Sequence, residues 1–152
     1  MDQDQFLIQR PSAVSYPDWS TGAKHPGLTV VGRKTYNLQN DVEEWFSEKQ
    51  LKGESVRGED IYLWLWRIGA LEHFLGLEDA VAIQEKGPFV FRELFQNKAP
   101  FFFRSVTEYR PEDGCDSILL VPCLSLFGER VVLDWVWLSF GLGPNNPALR
   151  FK

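Results

Sequence analysis

Cysteine and histidine are scarce in this chain, with two of each in 152 residues. Cys115 and Cys123 are too few for a disulfide scaffold or for a tetrahedral metal site of their own. Together with His25 and His73 they share no ligand spacing such as Cys-x-x-Cys or His-x-x-x-His. No cofactor and no metal is therefore expected, and a reducing, cytoplasmic setting fits best. Long apolar runs are missing too. The most apolar stretch, 61–77, is interrupted by Arg67, Glu72 and His73, which makes it too polar and too short to span a bilayer. Residues 1–10 carry Asp2 and Asp4 and one apolar triplet at 6–8, where an export signal has a basic start and a longer apolar core. No glycine-rich phosphate loop is present, since Gly141-Leu142-Gly143 runs into Pro144 and not into a helical pattern. Positive charge is in deficit, with a formal net charge of -5. The resulting field repels phosphate backbones and anionic lipid, so neither nucleic acid nor membrane is an expected partner, while a basic protein would be drawn in.

What the chain has in quantity is aromatic rings: 12 Phe, 6 Trp and 4 Tyr. Such rings fill a dense core or anchor a recognition surface. A chain of this length buries enough surface for one core, so a single domain is expected over 1–152, with an irregular leader at 1–27 and an irregular tail at 141–152. Pro11, Pro17, Gly22, Pro26 and Gly27 break both regular periods in the leader. Val14, Tyr16 and Trp19 are expected to hold it against the body.

The residues 28–33, short, β-branched and bounded by glycine, suggest a strand. Asn40 and Asp41, then Glu43 and Glu44, an apolar stripe at Val42, Trp45 and Phe46, and finally Lys49, Lys52 and Gly53 follow the order of a capped amphipathic helix over 41–51. Glu59 and Asp60 open a second helix running to Leu77, with Ile61, Leu65, Ile68, Leu71 and Leu75 at helical spacing. Trp64 and Trp66 stand about 200° apart on it, which implies a central helix covered on most sides. Two short helices follow at 78–86 and 89–97, the first stopped by Gly87 and Pro88.

Beyond Pro100 the period turns extended. Runs at 101–110, 117–127 and 130–140, the last two joined by Gly128-Glu129, predict a three-stranded antiparallel meander with a type II′ turn. Pro122 inside the middle strand calls for a bulge or an edge position. The fold class is thus α+β: helices in the first two thirds packed on a C-terminal three-stranded meander, with one further N-terminal strand. Both faces of the last strand are apolar, Val131, Leu133, Trp135 and Trp137 on one and Val132, Val136, Leu138 and Phe140 on the other. Such a sheet is either sandwiched or keeps one face for binding.

The catalytic inventory is thin, and the chain reads as leaning away from an enzyme. His73 lies beside Glu72, but helical neighbours stand about 100° apart and do not face each other. Neither cysteine precedes a helix that would lower its pKa. Asp134 interrupts the apolar strand and is expected to be buried with a partner. The first functional reading is a non-enzymatic protein-binding domain of adaptor, chaperone, inhibitor or toxin-immunity type, acting on a basic partner through an acidic, aromatic-bearing surface of Glu43, Glu44, Trp45, Glu48, Glu59 and Asp60. The alternative is a small-molecule-binding domain or enzyme with a pocket between sheet and central helix. Trp64, Trp66, Trp135 and Trp137 would line that pocket, with His73 and Asp134 as its polar groups. A third reading makes the two-sided apolar sheet a homo-oligomer interface.

Overall fold

The computed structural model describes residues 3–28, 30–111 and 116–152. Strands β1 (Leu7–Gln9), β2 (Ser20–Ala23), β3 (Thr35–Asn37) and β4 (Val42–Trp45) precede a short helix α1 (Glu48–Leu51), strand β5 (Val56–Arg57) and helix α2 (Gly58–Arg67). Helices α3 (Leu77–Glu85) and α4 (Pro88–Phe95) follow, and then strands β6 (Thr107–Tyr109), β7 (Ile118–Phe127), β8 (Arg130–Trp137), β9 (Gly141–Leu142) and β10 (Ala148–Phe151). The chain is α+β as expected, but its strands are spread along the whole sequence.

The β7–β8 hairpin is the backbone of the sheet. Its register is unbroken from Phe127↔Arg130 to Leu120↔Trp137, and Gly128 turns it at φ 63 while Glu129 keeps a negative φ, the geometry of a type II′ turn. β6 adds on the other side of β7, so the meander forms. Its first strand is shorter than the expected 101–110, because Phe103–Ser105 turn into a single 3₁₀ coil. β2 then pairs antiparallel with β6, giving the order β2-β6-β7-β8. Pro122 makes no bulge. Leu138 N–H donates to Leu119 O, and the alternation of an antiparallel ladder turns the main chain of Val121 and Cys123 toward β8 and that of Pro122 away. Its missing N–H falls where the neighbour of β7 changes from β6 to the Phe101 segment, whose Phe102 N–H still reaches Pro122 O at 3.0 Å.

The leader and tail are not irregular throughout. β1 pairs with β3, β2 extends the meander, and β10 pairs with β4 from Ala148↔Trp45 to Phe151↔Val42. Phe101 bridges Cys123 on one side and Ala148 on the other, joining that pair to the main sheet. Pairing with β10 also explains why 41–51 is not one helix: Val42–Trp45 extend, and the helix waits for Ser47, whose side chain and that of Gln50 cap each other's backbone. The strand expected at 28–33 does not form. Thr29 lies outside the described residues, Gly32 adopts φ 102, and the strand comes later, at Thr35–Asn37. The long helix expected over 59–77 stops at Arg67, where Gly69 takes φ 70 and reverses the chain.

Two cores flank the hairpin. On one face Leu124 and Val131 pack with Ala80 and Ile83 of α3 and with Phe91 and Phe95 of α4. On the other, Val121 and Cys123 pack with Ile61 and Leu65 of α2 and with Phe101 and Val106. The sheet is thus sandwiched along much of its length, which is why both faces of β8 are apolar.

A buried ionic cluster ties these layers to the leader. The Asp79 carboxylate, with no solvent exposure, sits in the first turn of α3. It accepts from Gly76 N–H at 2.8 Å, Tyr36 Oη at 2.7 Å, Arg10 Nε at 2.9 Å and Arg104 Nη2 at 2.9 Å. Arg104 also donates to Phe74 O and Glu78 Oε1. Burial pulls the Arg104 guanidinium down, but Glu78 and Asp79 more than offset it and leave it raised. A Cβ on Gly76 would lie 2.5 Å from Ser105 Oγ and 2.7 Å from Arg104 Nη2, so glycine is required here for room. Glu108, also buried, locks the β2–β6 edge. Hydrogen bonds from Lys24, Ser117 and Arg110 hold its carboxyl at about 2, against an ordinary 4.5.

Two stability predictions follow from these groups. Asp79→Asn leaves Arg10 without its counter-charge and Arg104 with Glu78 alone, and is expected to cost about 3–5 kcal/mol in urea unfolding. Arg92→Gln, which removes an exposed pair with Glu129, should stay within about 0.5 kcal/mol; equal midpoints for the two variants would remove the cluster from its organising role. Because the folded pKa of Glu108 is depressed, its contribution is complete above pH 4.5 and fades as pH falls toward about 2. Glu108→Gln should therefore lose about 1–3 kcal/mol at neutral pH and converge with the wild type in acid, as followed by denaturation across that range.

Candidate functional site

A groove lies between α1 and α2. β4 leaves the sheet at Trp45, and Ser47 starts α1, whose Gln50 is buried with its Nε2 donating to Gly143 O at 3.0 Å and Asn146 O at 2.9 Å. That anchor fixes the roll of α1 and turns the next residue, Leu51, outward to 72% exposure. α2 buries Ile61, Tyr62 and Leu65, so Trp64 comes out on its flank. The Trp45 and Trp64 rings lie nearly parallel, centroids 5.9 Å apart at 14°, and Trp45 meets Phe74 edge-on at 5.6 Å. Val56 and Ile61 complete a hollow of about 530 Å³ whose rim carries Glu48, Lys49 and Asp60. Glu48 meets Lys52 in an exposed pair at 3.4 Å, which is weak in water. Asp60 makes no ion pair with any described residue.

The acidic residues expected to act together divide in the structure. Trp45, Glu48 and Asp60 share this groove with Trp64. Glu43 lies 3.6 Å from Arg150 and Glu44 2.8 Å from Lys98, both beside a separate hollow next to Phe95. Glu59 is held by Arg57 at 3.0 Å. Trp64 and Trp66 are 51% and 47% exposed, so α2 is a surface helix and not the covered central one that its sequence suggests. The reason is that only one side of α2 faces the sheet.

The pocket expected between sheet and central helix is not assembled. α2 packs on one face of the hairpin, while Trp135 and Trp137 follow Val131 and Leu133 on the other. The sheet itself separates the two Trp pairs. Trp66 stacks on His25 at 4.0 Å and 20°, and His25 Nε2 meets the Tyr62 hydroxyl; burial, then Lys24, lowers the His25 pKa. Trp135 and Trp137 instead share a hollow of about 520 Å³ with Trp19 and Tyr109. Trp19 stands edge-on to both Tyr109 and Trp135. His73 is exposed on the 3₁₀ turn after α2, away from that hollow. Asp134 is exposed, not buried, in the middle of β8, the last strand of the sheet.

Cys123 is buried, and its thiol is pushed up to about 12, by burial first and by Asp134 across the ladder second; it stays protonated and unreactive at neutral pH. Cys115 lies outside the described residues. Among the described residues no cluster of three or more His, Cys, Asp or Glu could hold a metal ion, and no helix is long and apolar enough to cross a membrane. Sequence reasoning passed over Tyr109 and treated Trp19 only as a leader anchor. No local signal joined them, since Trp19 precedes β2 and Tyr109 ends β6, distant strands that pair at Ser20↔Tyr109 and Ala23↔Thr107. Comparison with protein-family models, with curated proteins and with solved structures finds no match for this chain.

Proposed function

We propose that the chain is a protein-binding domain, of the adaptor, chaperone, inhibitor or immunity kind, that seats an apolar segment of a basic partner between α1 and α2. It works by shape and charge, not by covalent chemistry. One observation carries the reading: the parallel Trp45–Trp64 pair, open to solvent on the Trp64 side, is continuous with exposed Leu51 and flanked by the Glu48 and Asp60 carboxylates. Indole rings give large contact area for little side-chain entropy and dominate interface energetics. Exposed rim carboxylates add little affinity but select against acidic partners and speed the approach of basic ones, in keeping with the net charge of -5. The small-molecule alternative retains only the Trp19–Trp135 hollow. His73 is remote from that hollow, and Asp134 reaches its rim from the opposite face of β8.

The test is capture from the extract of the source cells, with mass spectrometry, comparing wild type with Trp64→Ala and Asp60→Lys. A stoichiometric basic protein is expected on the wild type and should be lost by roughly 30-fold in Trp64→Ala, the scale of an interface hot spot. Both substitutions are at exposed side chains, so their unfolding midpoints should match the wild type within about 1 kcal/mol. Retention of the same partner by both variants, or release of a small molecule with no protein bound, would refute the reading.

A further inference from the structure

The outer edge of β8 carries a second and independent surface. β8 ends the order β2-β6-β7-β8, so one of its edges has no neighbouring strand. With Leu138 N–H on Leu119 O, the ladder turns the N–H and C=O groups of Asp134 and Val136 inward to β7 and those of Leu133, Trp135 and Trp137 outward. Both ends of this open stretch are closed. Gln84 Nε2 donates to Val131 O at 3.0 Å, and Phe140 N–H to Trp137 O at 3.1 Å. Between them, the outward main-chain groups of Leu133 and Trp135 make no hydrogen bond with any described residue. On one face the stretch is flanked by the Trp135–Trp137–Trp19–Tyr109 hollow. On the other stands the exposed Asp134 carboxylate, without an ion pair among the described residues.

We infer that this edge takes an extended segment of a partner protein as an added antiparallel strand, with a basic residue opposite Asp134 and apolar residues on either side of it. The main chain of Leu133 and Trp135 supplies the ladder bonds. Because side chains alternate across a strand, the residue opposite Asp134 projects to the carboxylate's face. Its two neighbours then project to the indole face, which defines an apolar–basic–apolar triplet. A second copy of this chain fits the edge poorly. Antiparallel self-pairing within 133–137 sets Asp134 against Val136 of the other copy when Trp135 lies on the axis, and against the other Asp134 when Asp134 does. The first buries a charge against an apolar side chain, and the second opposes like charges. Asp134 therefore excludes the homodimer that an open, aromatic edge would otherwise invite.

The experiment uses the full ¹⁵N-labelled chain with two capped pentapeptides, Thr-Val-Lys-Val-Thr and Thr-Val-Glu-Val-Thr, followed by amide shifts and hydrogen exchange. The lysine peptide should slow exchange at Leu133 and Trp135 and bind roughly fivefold tighter than the glutamate peptide, the scale of a cross-strand charge pair and its reversal. Asp134→Lys should invert that preference. A lysine peptide N-methylated at the residue facing Trp135 should lose binding, while Trp64→Ala should bind like the wild type, which separates this edge from the groove at α1 and α2. Unchanged exchange with either peptide would overturn the inference, as would a charge preference indifferent to Asp134→Lys. So would protection of Leu133 and Trp135 that rises with protein concentration alone, which would assign the edge to a second copy.

Discussion

A carboxylate with no access to water is tolerable only if other charges and dipoles replace its hydration shell. Asp79 meets that demand through two guanidinium groups, a phenol and a backbone N–H, drawn from the leader, β3, the Arg104 segment and the turn before α3. Removing any one donor leaves part of that buried charge's shell unreplaced, so the layers that supply them are coupled more strongly than their apolar contacts alone would make them. Arg10 is fixed further by Tyr36 and Phe151, whose rings lie 5.8 and 5.5 Å from its guanidinium carbon. β10 is thereby drawn to the same centre, which lends this cluster authority over the placing of both leader and tail.

With α3 held at its first turn by Asp79, its inner side falls on Leu124 and Val131, and α2 is left to cover the opposite face. The helices then cover the two faces at different places: α3 and α4 lie over one face near the turn, and α2 over the opposite face toward the far end, at Val121, Val136 and Leu138. Trp135 and Trp137 lie beyond α3, and Tyr16 and Trp19 from the leader come over Trp135. On the other face α2 presents one side to the sheet and keeps Trp64 and Trp66 outside. The exposed aromatic rings thus lie where a layer runs out.

The sequence carried the parts of this fold that are local. The Gly128-Glu129 turn, the hairpin and helices α3 and α4 depend on residues close in the chain, and periodicity and turn chemistry located them within about three residues. β10 with β4 and β2 with β6 are pairings between segments far apart in sequence. No local pattern announces such partners, so the leader and tail look irregular and Val42–Trp45 looks helical. Asp79 was legible only as a helix-start acid, which it is; that it also faces two arginines depends on where Arg10 and Arg104 are carried by the fold. The Trp pairs misled for a related reason. A helix with apolar residues on two sides is either central or carries an exposed patch, and composition does not separate the two. In the candidate groove, Trp45, Glu48 and Asp60 were legible as neighbours of acid and ring, but their joining with Trp64 required α1 and α2 to be brought side by side.

The position of Asp134 shows how one residue serves stability and recognition at once. A sheet edge this apolar would stack on other chains, and a charge at its midpoint is the least expensive way to prevent that, since an exposed carboxylate on an edge needs no buried counter-ion. Had Asp134 been apolar, β8 would pair with any strand; had it been buried, as its sequence context suggests, it would have needed a fixed partner as Asp79 does. Left exposed and unpaired, it makes the edge permissive to a single sign of charge. The contrast between the two aspartates, one enclosed by four donors and one standing free on an open strand, separates the charge that builds this molecule from the charge that selects what may join it.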